Sequence, residues 1–249
     1  MSRLGSIGEL YAYALAEGEG VGTAYEYVAT ARFLRLRLRR DARVLVAGLP
    51  ERYGTSLDFA ILAHRAGARL LVVDERAEAI ERARRAIVAM QADGRLLGLD
   101  VTYREIPSLA AMAEVEPHDV VLSCEVLQRV PPAARPAFVA TLRARAPVGA
   151  VFVPNGDNQS HVKISGLDGL SRRALKALFE GPGYRFAYVD MPPFPPGIAR
   201  TPEQRTQAAT GRAEALAMLG LDVFCAAEPL VPAVLKRHLA HIVCVAWGG

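Results

Sequence analysis

The segment RVLVAGLPERYGTSLDFAILAHRAGARLLVVD, residues 43–74, decides the predicted fold. It begins with the apolar run Arg43–Gly48 and ends with a second apolar run, Arg69–Asp74. Both runs are short and rich in β-branched residues, which favours buried strands over a buried helix. Residues 56–66 between them have the apolar spacing of a helix. The segment therefore predicts a strand–helix–strand unit of a parallel sheet.

The same alternation continues to about residue 190, which is typical of a parallel sheet covered by helices on both faces. Further strands are predicted at residues 100–104, 119–124, 148–154, 184–190 and 241–247. Further helices are predicted at residues 76–92, 108–114, 133–146 and 171–180. The sequence has no internal repeat and no low-complexity linker, so we expect a single α/β domain. Its parts are a helical region at 1–40, the core at 41–190, a helical insert or cap at 191–240 and the last strand at 241–249.

The composition suits one domain with a well-buried core. The chain has 249 residues, of which 51% are hydrophobic, and this size and hydrophobicity are typical of α/β domains. No apolar run approaches the ~20 residues of a membrane-spanning helix, and the first residues lack the apolar block of a secretory signal. The three cysteines have apolar surroundings and no metal-binding spacing. We therefore expect free thiols, no structural metal and a cytoplasmic location.

The arginines are concentrated at one place. Arg35, Arg37, Arg39 and Arg40 lie together just before the first strand, whereas the other basic residues are scattered as on solvated helices. The formal net charge is +4, and a nucleic-acid surface normally forms a concentrated stripe of positive charge. We therefore favour a small-molecule partner over a nucleic acid, and the arginine cluster is the main support for the latter.

The loop after the first predicted strand contains two glycines, Gly48 and Gly54, and ends at Ser56. Glycine lets the backbone pass close to a ligand, and the following helix offers free N–H groups. The spacing fits neither a P-loop nor a dinucleotide-binding GxGxxG sequence. A ligand-binding loop and a tight strand-to-helix turn both explain it.

A pair of carboxylates, Asp74 and Glu75, ends the second predicted strand. Ligands of open α/β sheets bind beyond the carboxyl ends of the strands, where an acidic residue can accept hydrogen bonds from both hydroxyls of a ribose. The alternative is that Asp74 caps the helix that follows. The position of Asp74 after the glycine loop favours the ribose interpretation.

At this point the sequence resembles a known superfamily. RVLVAG with its loop and helix, followed by RLLVVDERAEAIERARR, resembles the first two nucleotide-binding motifs of class I S-adenosylmethionine (SAM)-dependent methyltransferases. HDVVLSCEVLQRVPPAARPAFVATLRARAPVGAVFVPN, residues 118–155, is similar to their fourth and fifth motifs, and LSCEVLQRV resembles the S-x-E-V-L-x-x-V segment of small-molecule methyltransferases. The resemblance implies a Rossmann-like, seven-stranded, mostly parallel sheet with an antiparallel last strand, and SAM as cofactor.

The resemblance also implies where the cofactor binds. Its contacts would come from the glycine loop, the ends of strands two to four and the helices of residues 1–40, which would form a lid. These residues are Gly48, Gly54, Asp74, Glu75, Glu105, Ile106, Cys124, Glu125 and Tyr25. Adenine would lie near Glu105 and Ile106. A packing role for Tyr25 is the alternative.

Two positions depart from the family pattern. Val46 replaces the usual acidic residue two positions before the first glycine, and Pro50 replaces the second glycine of the loop. Since that acid often helps to hold the methionine end of SAM, the sequence leaves open how this end is bound.

The substrate is expected at PNGDNQSHVKISG, residues 154–166, which we predict to be a polar loop after strand five. Its hydrogen-bonding side chains exceed what a turn requires. Asn155, Asn158 and Lys163 are the predicted substrate contacts, and His161 or Asp157 the predicted general base, with a pKa near the ordinary histidine value of ~6.5 for His161. A metal held by this loop is an alternative that the spacing does not favour.

The predicted function is SAM-dependent methyl transfer to the oxygen or nitrogen of a small molecule. An RNA methyltransferase and a nicotinamide-dependent Rossmann enzyme are alternative enzymes. A non-catalytic, partner-binding protein of the same fold is the alternative from another class. The insert at residues 191–240 would cover the substrate entrance or form a contact in a homodimer.

Overall fold

The computed structural model describes residues 4–35, 38–51, 54–193 and 212–248. Arg37 of the arginine cluster and residues 194–211 of the predicted insert lie outside these ranges. None of the helices in the described part is both long and apolar enough to cross a membrane.

One seven-stranded sheet forms the centre of the molecule, in the order β3-β2-β1-β4-β5-β7-β6. The strands are β1 (Arg43–Ala47), β2 (Arg69–Asp74), β3 (Val101–Glu105), β4 (Val120–Cys124), β5 (Val148–Pro154), β6 (Tyr184–Val189) and β7 (Ile242–Trp247). Strand β7 pairs antiparallel with both β5 and β6, whereas the remaining pairs are parallel. The predicted fold class is therefore confirmed, and each predicted strand is found with its ends shifted by at most one residue.

Helices cover both faces of the sheet because alternate strand residues point to opposite sides. They are α1 (Ile7–Ala16), α2 (Val21–Leu34), α3 (Leu57–Ala66), α4 (Ala77–Ala92), α5 (Arg135–Arg145), α6 (Gln159–Ser165), α7 (Arg172–Leu178), α8 (Arg212–Ala227) and α9 (Ala233–Leu239). Val44 and Val46 of β1 belong to the core under α1–α4, whereas Leu45 and Ala47 belong to the core on the opposite face. Residues 108–114, predicted as a helix, form a 3₁₀ helix at Leu109–Glu114.

The strand order reverses between β1 and β4, since β2 and β3 lie on one side of this pair and β5, β7 and β6 on the other. Loops at such a reversal diverge and leave a crevice at the carboxyl edge of the sheet. Three non-glycine residues with left-handed backbone lie at this edge, Ser56 (φ 60°), Glu125 (φ 53°) and Asp190 (φ 65°). Non-glycine residues in this conformation are uncommon and often lie at functional sites. Two more, Arg35 and Asp41, lie before β1 at the opposite edge, so it is the strand order that singles out this region.

Candidate functional site

A cavity of about 40 Å³ lies at the reversal point between β1 and β4. The glycine loop, the end of β4 and the turn and helix that precede β1 all contribute to its wall. The lining residues are Glu17, Thr23, Glu26, Tyr27, Pro50, Gly54, Ser56, Asp58, Cys124 and Glu125. Three of the predicted cofactor contacts, Gly54, Cys124 and Glu125, are therefore together at one cavity.

Glu17 follows α1 and caps the amino end of α3. Its Oε1 accepts hydrogen bonds from the backbone N–H groups of Thr55 and Leu57, at 2.6 and 3.1 Å, and from the Thr55 hydroxyl. The Tyr27 hydroxyl donates to Glu17 Oε2. Burial raises the pKa of Glu17 even though these hydrogen bonds oppose the rise. The segment before β1 thus supplies an acid next to the glycine loop, whereas β1 itself has Val46 at the position where the family has an acid.

Glu26, Asp58 and Glu125 bring three more carboxyl groups to the same cavity. Burial is the main cause of a raised pKa for each of them: that of Glu26 lies well above its usual value, that of Asp58 is about 7 and that of Glu125 is about 8. Nearby acids add to the rise, chiefly Asp190 for Glu26, Glu17 for Asp58 and Glu51 for Glu125. Among the described lining residues there is neither lysine nor arginine. A cavity with four acids and no neutralising side chain is complementary to a cation.

Several polar atoms at this edge are buried and lack a hydrogen-bond partner. They include Ser56 Oγ and Glu125 Oε2 in the cavity wall, and Asp190 Oδ1 beyond the end of β6. Ser56 and Asp190 are only 8% and 4% exposed. Buried polar groups are nearly always hydrogen-bonded, so these three atoms, which lack a partner among the described residues, indicate places where a polar ligand or water binds.

Asp74 is fully buried and already saturated with donors. Its carboxylate accepts hydrogen bonds from the Leu49 N–H at 2.7 Å, from Arg76 N, Nε and Nη2 at 2.8–3.1 Å and from Arg129 Nη2 at 2.9 Å. Burial alone would raise the pKa of Asp74, but the hydrogen bonds from Arg76 and Leu49 and the charge of Arg129 lower it. Ribose hydroxyls would have to displace one of these donors. The backbone N–H of Arg76 is a local partner, as a helix-capping role predicts. The two guanidinium groups give Asp74 a third role, a buried ion pair, besides the ribose-binding and capping roles predicted from the sequence.

The remaining predicted adenosine contacts surround Asp74. Glu75 pairs with Arg129 and accepts a hydrogen bond from the Leu109 N–H at 2.8 Å. Glu105 is exposed and lies opposite Asp74 in the β2–β3 register. Ile106 is buried and donates its N–H to the Asp74 carbonyl at 3.0 Å. The structure thus brings the predicted ribose and adenine residues together.

Gly48 adopts φ 84°, and a Cβ at this position would lie 2.6 Å from Val126 Cγ2. Glycine is therefore required here by the approach of the segment that follows β4, whatever the ligand.

The tyrosine predicted to face the cofactor does not line the cavity. Tyr25 is fully buried and donates to Glu228 Oε2 at 2.6 Å and to the Met191 carbonyl at 3.3 Å. Tyr27, two residues later, lines the cavity instead. The contacts of Tyr25 are those of the packing role that was the alternative, and the prediction named Tyr25 rather than Tyr27.

The predicted loop at residues 154–166 is wrong in part, because residues 159–165 form helix α6. Asn158 caps this helix by accepting the His161 N–H at 3.1 Å, and Gly166 ends it in the left-handed conformation. Both residue types are typical of these positions.

His161 stacks on His241, with ring centroids 4.2 Å apart and an interplanar angle of 13°. His241 Nδ1 lies 2.9 Å from Asp190 Oδ2, and His161 Nδ1 is buried without a partner. Burial and the charge of His241 lower the pKa of His161 to about 4, which corrects the expected value near 6.5. Burial lowers the pKa of His241, but Asp190 outweighs this effect and raises it. Asp190 also raises the pKa of Glu26 and Glu125, so the histidine pair lies beside the acidic cavity.

The other predicted substrate residues have structural partners or face solvent. The amide nitrogens of Asn155 and Asn158 donate to carbonyl groups at the end of α9 and just after it, at 2.9–3.2 Å. The carboxylate of Asp157 accepts from the Tyr188 hydroxyl at 3.1 Å and from Arg237 Nη2 at 3.2 Å. Lys163 is exposed. The geometry therefore gives little support to Asp157 as a base or to the two asparagines as substrate contacts.

The sequence did not point to Glu17, Glu26, Asp58, Asp190 or Arg129. The acids come from segments far apart in the chain, and three of them lie next to glycines or within helices where a charged residue is ordinary. The one available signal was the pair of acids in AEGEG, residues 16–20, a glycine-rich turn inside the predicted lid.

No protein-family model matches the sequence, and no curated protein sequence does. Solved structures do resemble it. The small RNA methyltransferase HEN1 has a TM-score of 0.53 at 11% identity, over 93% of this chain and 25% of that one. Magnesium protoporphyrin IX methyltransferase from Synechocystis PCC 6803, solved with bound SAM, has a TM-score of 0.47 at 14% identity, over 67% of this chain and 70% of that one.

The cyclopropane synthase MmaA2 from Mycobacterium tuberculosis has a TM-score of 0.48 at 14% identity, over 86% of this chain and 79% of that one. At these identities the likeness concerns the fold alone, and among these three structures only HEN1 has a TM-score above 0.5. The chain therefore has the fold of the class I SAM-dependent methyltransferases.

Proposed function

We propose that this protein transfers a methyl group from SAM to the oxygen or nitrogen of a small-molecule acceptor. The observation that carries the proposal is the cavity with four carboxyl groups at the reversal point of a methyltransferase fold. SAM carries a positive sulfonium and a positive ammonium group, and a buried acidic cavity binds such cations favourably.

The methionine end of SAM fits the residues of the cavity. Burial and neighbouring acids, Glu125 among them, raise the pKa of Glu26, and a bound cation would favour the ionised forms of these carboxyl groups. Ser56 Oγ and Glu125 Oε2 are buried polar atoms without a hydrogen-bond partner among the described residues, and polar groups of SAM could bond to them. When bound, SAM supplies a methyl group activated by the sulfonium charge.

The adenosine end fits only after a rearrangement. Asp74 and Glu75 are the residues that would hold the ribose, but Arg129 occupies both carboxylates. Arg129 must release Asp74 before ribose hydroxyls can donate to it. The cavity of about 40 Å³ must also widen, because that volume is too small for the methionine end of SAM.

On the acceptor side, His161 is the group best placed to take a proton. It is neutral at pH 7, because burial and His241 lower its pKa to about 4. Its Nδ1 has no hydrogen-bond partner among the described residues, and its ring stacks on that of His241, which Asp190 orients. Alignment of the acceptor would supply most of the rate enhancement.

The arginine cluster does not favour RNA as the acceptor. Arg35 and Arg39 lie by the amino ends of β1 and β4, and the acidic cavity lies at their carboxyl ends. Strands of five residues separate the two edges by roughly 16 Å. A partner-binding protein without catalysis remains the second candidate, and the saturation of Asp74 by arginines is the observation that favours it.

Isothermal titration calorimetry with SAM, S-adenosylhomocysteine and NAD tests the proposal. We expect SAM and S-adenosylhomocysteine to bind and NAD not to bind. Glu26→Gln should weaken SAM about tenfold or more, the range for losing one charge-assisted contact. It should weaken S-adenosylhomocysteine less, because that product lacks the sulfonium charge.

Glu114→Gln is the matched control, since Glu114 is exposed on the 3₁₀ helix before β4. Binding of NAD alone would contradict the cofactor assignment. Equal losses for SAM and S-adenosylhomocysteine would contradict the charge argument. Binding of SAM without turnover of any acceptor would favour the non-catalytic candidate.

A further inference from the structure

A second and larger cavity lies at the opposite edge of the sheet, with a volume of about 670 Å³. It is bounded by the amino ends of β4 and β5 and by the residues that follow α2 and β7. Its size is within the range of small-molecule sites in proteins. We call it the amino-edge groove.

The groove combines apolar walls with three arginines. Leu34, Leu38, Pro147 and Val148 are among its apolar residues, and the charged ones are Arg35, Arg39, Arg185 and Asp119. Such a combination suits a ligand that has an anionic group and a less polar body.

The positive charge of the groove is only partly neutralised. Arg39 pairs with Asp119 at 3.7 Å. Arg185 lies over the Phe33 ring, 4.3 Å from its centroid, and its guanidinium donates to the Phe33 and Leu34 carbonyls. Within the described ranges, neither Arg185 nor Arg35 makes an ion pair with an acid.

The two unneutralised guanidinium groups affect each other. Burial and then the charge of Arg35 lower the pKa of Arg185. Two cations held near one another without an acid raise the energy of the empty groove, and an anion between them removes that cost. A phosphate monoester carries about −1.5 to −2 charges at pH 7, which matches two guanidinium groups. Arginine also binds phosphate through paired hydrogen bonds.

We propose that the amino-edge groove binds a small phosphate monoester, with the phosphate at Arg35 and Arg185 and the organic part against Leu34, Leu38 and Pro147. The site is separate from the acidic cavity and does not depend on the methyl-transfer proposal. The organic part is either an alkyl chain or a nucleoside, and the choice of probes distinguishes them.

The test is calorimetric titration of the full chain with inorganic phosphate, hexyl phosphate and adenosine monophosphate at about 0.15 M salt, where exposed charges are screened. We expect one of the organic phosphates to bind at least about tenfold more tightly than inorganic phosphate. Arg35→Gln should weaken that binding by about tenfold or more, the effect of losing a charge-assisted hydrogen bond. Arg40→Gln is the matched control, since Arg40 is exposed in the same cluster and does not line the groove.

Arg185→Gln is the second variant, measured with a melting temperature because Arg185 also holds the end of α2. Affinity for S-adenosylhomocysteine should be the same in Arg35→Gln as in the unmodified protein, which separates this site from the acidic cavity. The proposal is overturned if no organic phosphate binds, or if Arg40→Gln loses as much affinity as Arg35→Gln. It is also overturned if, of the ligands tried, only a single-stranded RNA oligonucleotide binds, and Arg35→Gln and Arg40→Gln weaken the binding of that RNA equally.

Discussion

Replacing Asp74 by asparagine should destabilise the protein strongly, because it removes the ion-pair partner of Arg76 and one of the two ion-pair partners of Arg129. Asp74 is fully buried, and the side chains of Arg129 and Arg76 are only 12% and 21% exposed. Breaking a buried ion pair by removing one partner costs ~3–5 kcal/mol. Since both arginines keep some contact with solvent and Arg129 keeps Glu75, we expect the lower end, about 3 kcal/mol. For a chain of this size that corresponds to a fall of roughly 6–12 °C in melting temperature.

The measurement is urea unfolding at pH 7, followed by far-ultraviolet circular dichroism. Asp100→Asn is the matched control, because Asp100 pairs with Arg69 at 3.7 Å and both side chains are 63% exposed. An exposed pair of this kind contributes less than about 1 kcal/mol. The same replacement in two ion pairs therefore isolates the effect of burial.

The pH dependence gives a second readout. The ion pairs and hydrogen bonds lower the pKa of Asp74 in the folded protein, so its contribution to stability is complete above the unfolded value of ~3.9 and is lost as pH falls further. The difference in unfolding free energy between the unmodified protein and Asp74→Asn should therefore shrink below about pH 4. Equal destabilisation by Asp74→Asn and Asp100→Asn at pH 7 would refute the reasoning.

Two further predictions concern the glycine loop and the proposed base. Gly48→Ala should cost about 3 kcal/mol in urea unfolding, because its Cβ would meet Val126 Cγ2 at 2.6 Å in addition to the left-handed backbone cost. Gly98→Ala, with φ 77° and no atom within 4 Å, should cost only about 1–2 kcal/mol, and equal costs would show that the Val126 contact is unimportant. His161→Ala should lower turnover by about 10²-fold with unchanged S-adenosylhomocysteine affinity. The rate of the unmodified enzyme should fall as pH drops through about 4, and an acid limb near 6.5 would contradict the assignment.

The strands of the sheet were predictable because the sequence features that specify each of them lie within the strand and its flanking turns. Each strand is a short apolar run between turn-forming residues, so the ends were found to within one residue. Helix α6 was missed although its signals are also local, an asparagine at the N-cap and a glycine after the last turn. The polar composition of this segment favours a loop, whereas the asparagine and the glycine at its ends favour a helix, and the helix forms.

The candidate site was less predictable because its contacts are long-range. Glu17 reaches the amino end of α3 across 38–40 residues, and Arg129 reaches Asp74 across 55 residues. His241 meets Asp190 only because the antiparallel β6–β7 pair brings their neighbouring ends together. The spacing of residues in the sequence does not show which of these distant side chains meet, because their contacts depend on the complete fold.

The two ends of the proposed cofactor site differ in what binding must change, and this difference separates the two candidate functions. At the acidic cavity, a cation would favour the ionised forms of carboxyl groups whose pKa values are raised, and the ligand would bond to polar atoms that lack a partner among the described residues. At Asp74, ribose hydroxyls would replace a hydrogen bond from the charged guanidinium of Arg129 with hydrogen bonds from neutral donors, and Arg129 would lose an ion-pair partner, which costs binding free energy. The cationic methionine end should therefore provide most of the binding free energy. A protein that uses SAM tolerates this cost because the sulfonium charge offsets it, whereas adenosine alone should bind at least about tenfold more weakly than SAM. If adenosine and SAM bind with equal affinity, the acidic cavity does not hold the methionine end, and the arginine-filled ribose site then indicates a fold that has kept its architecture without the transfer reaction.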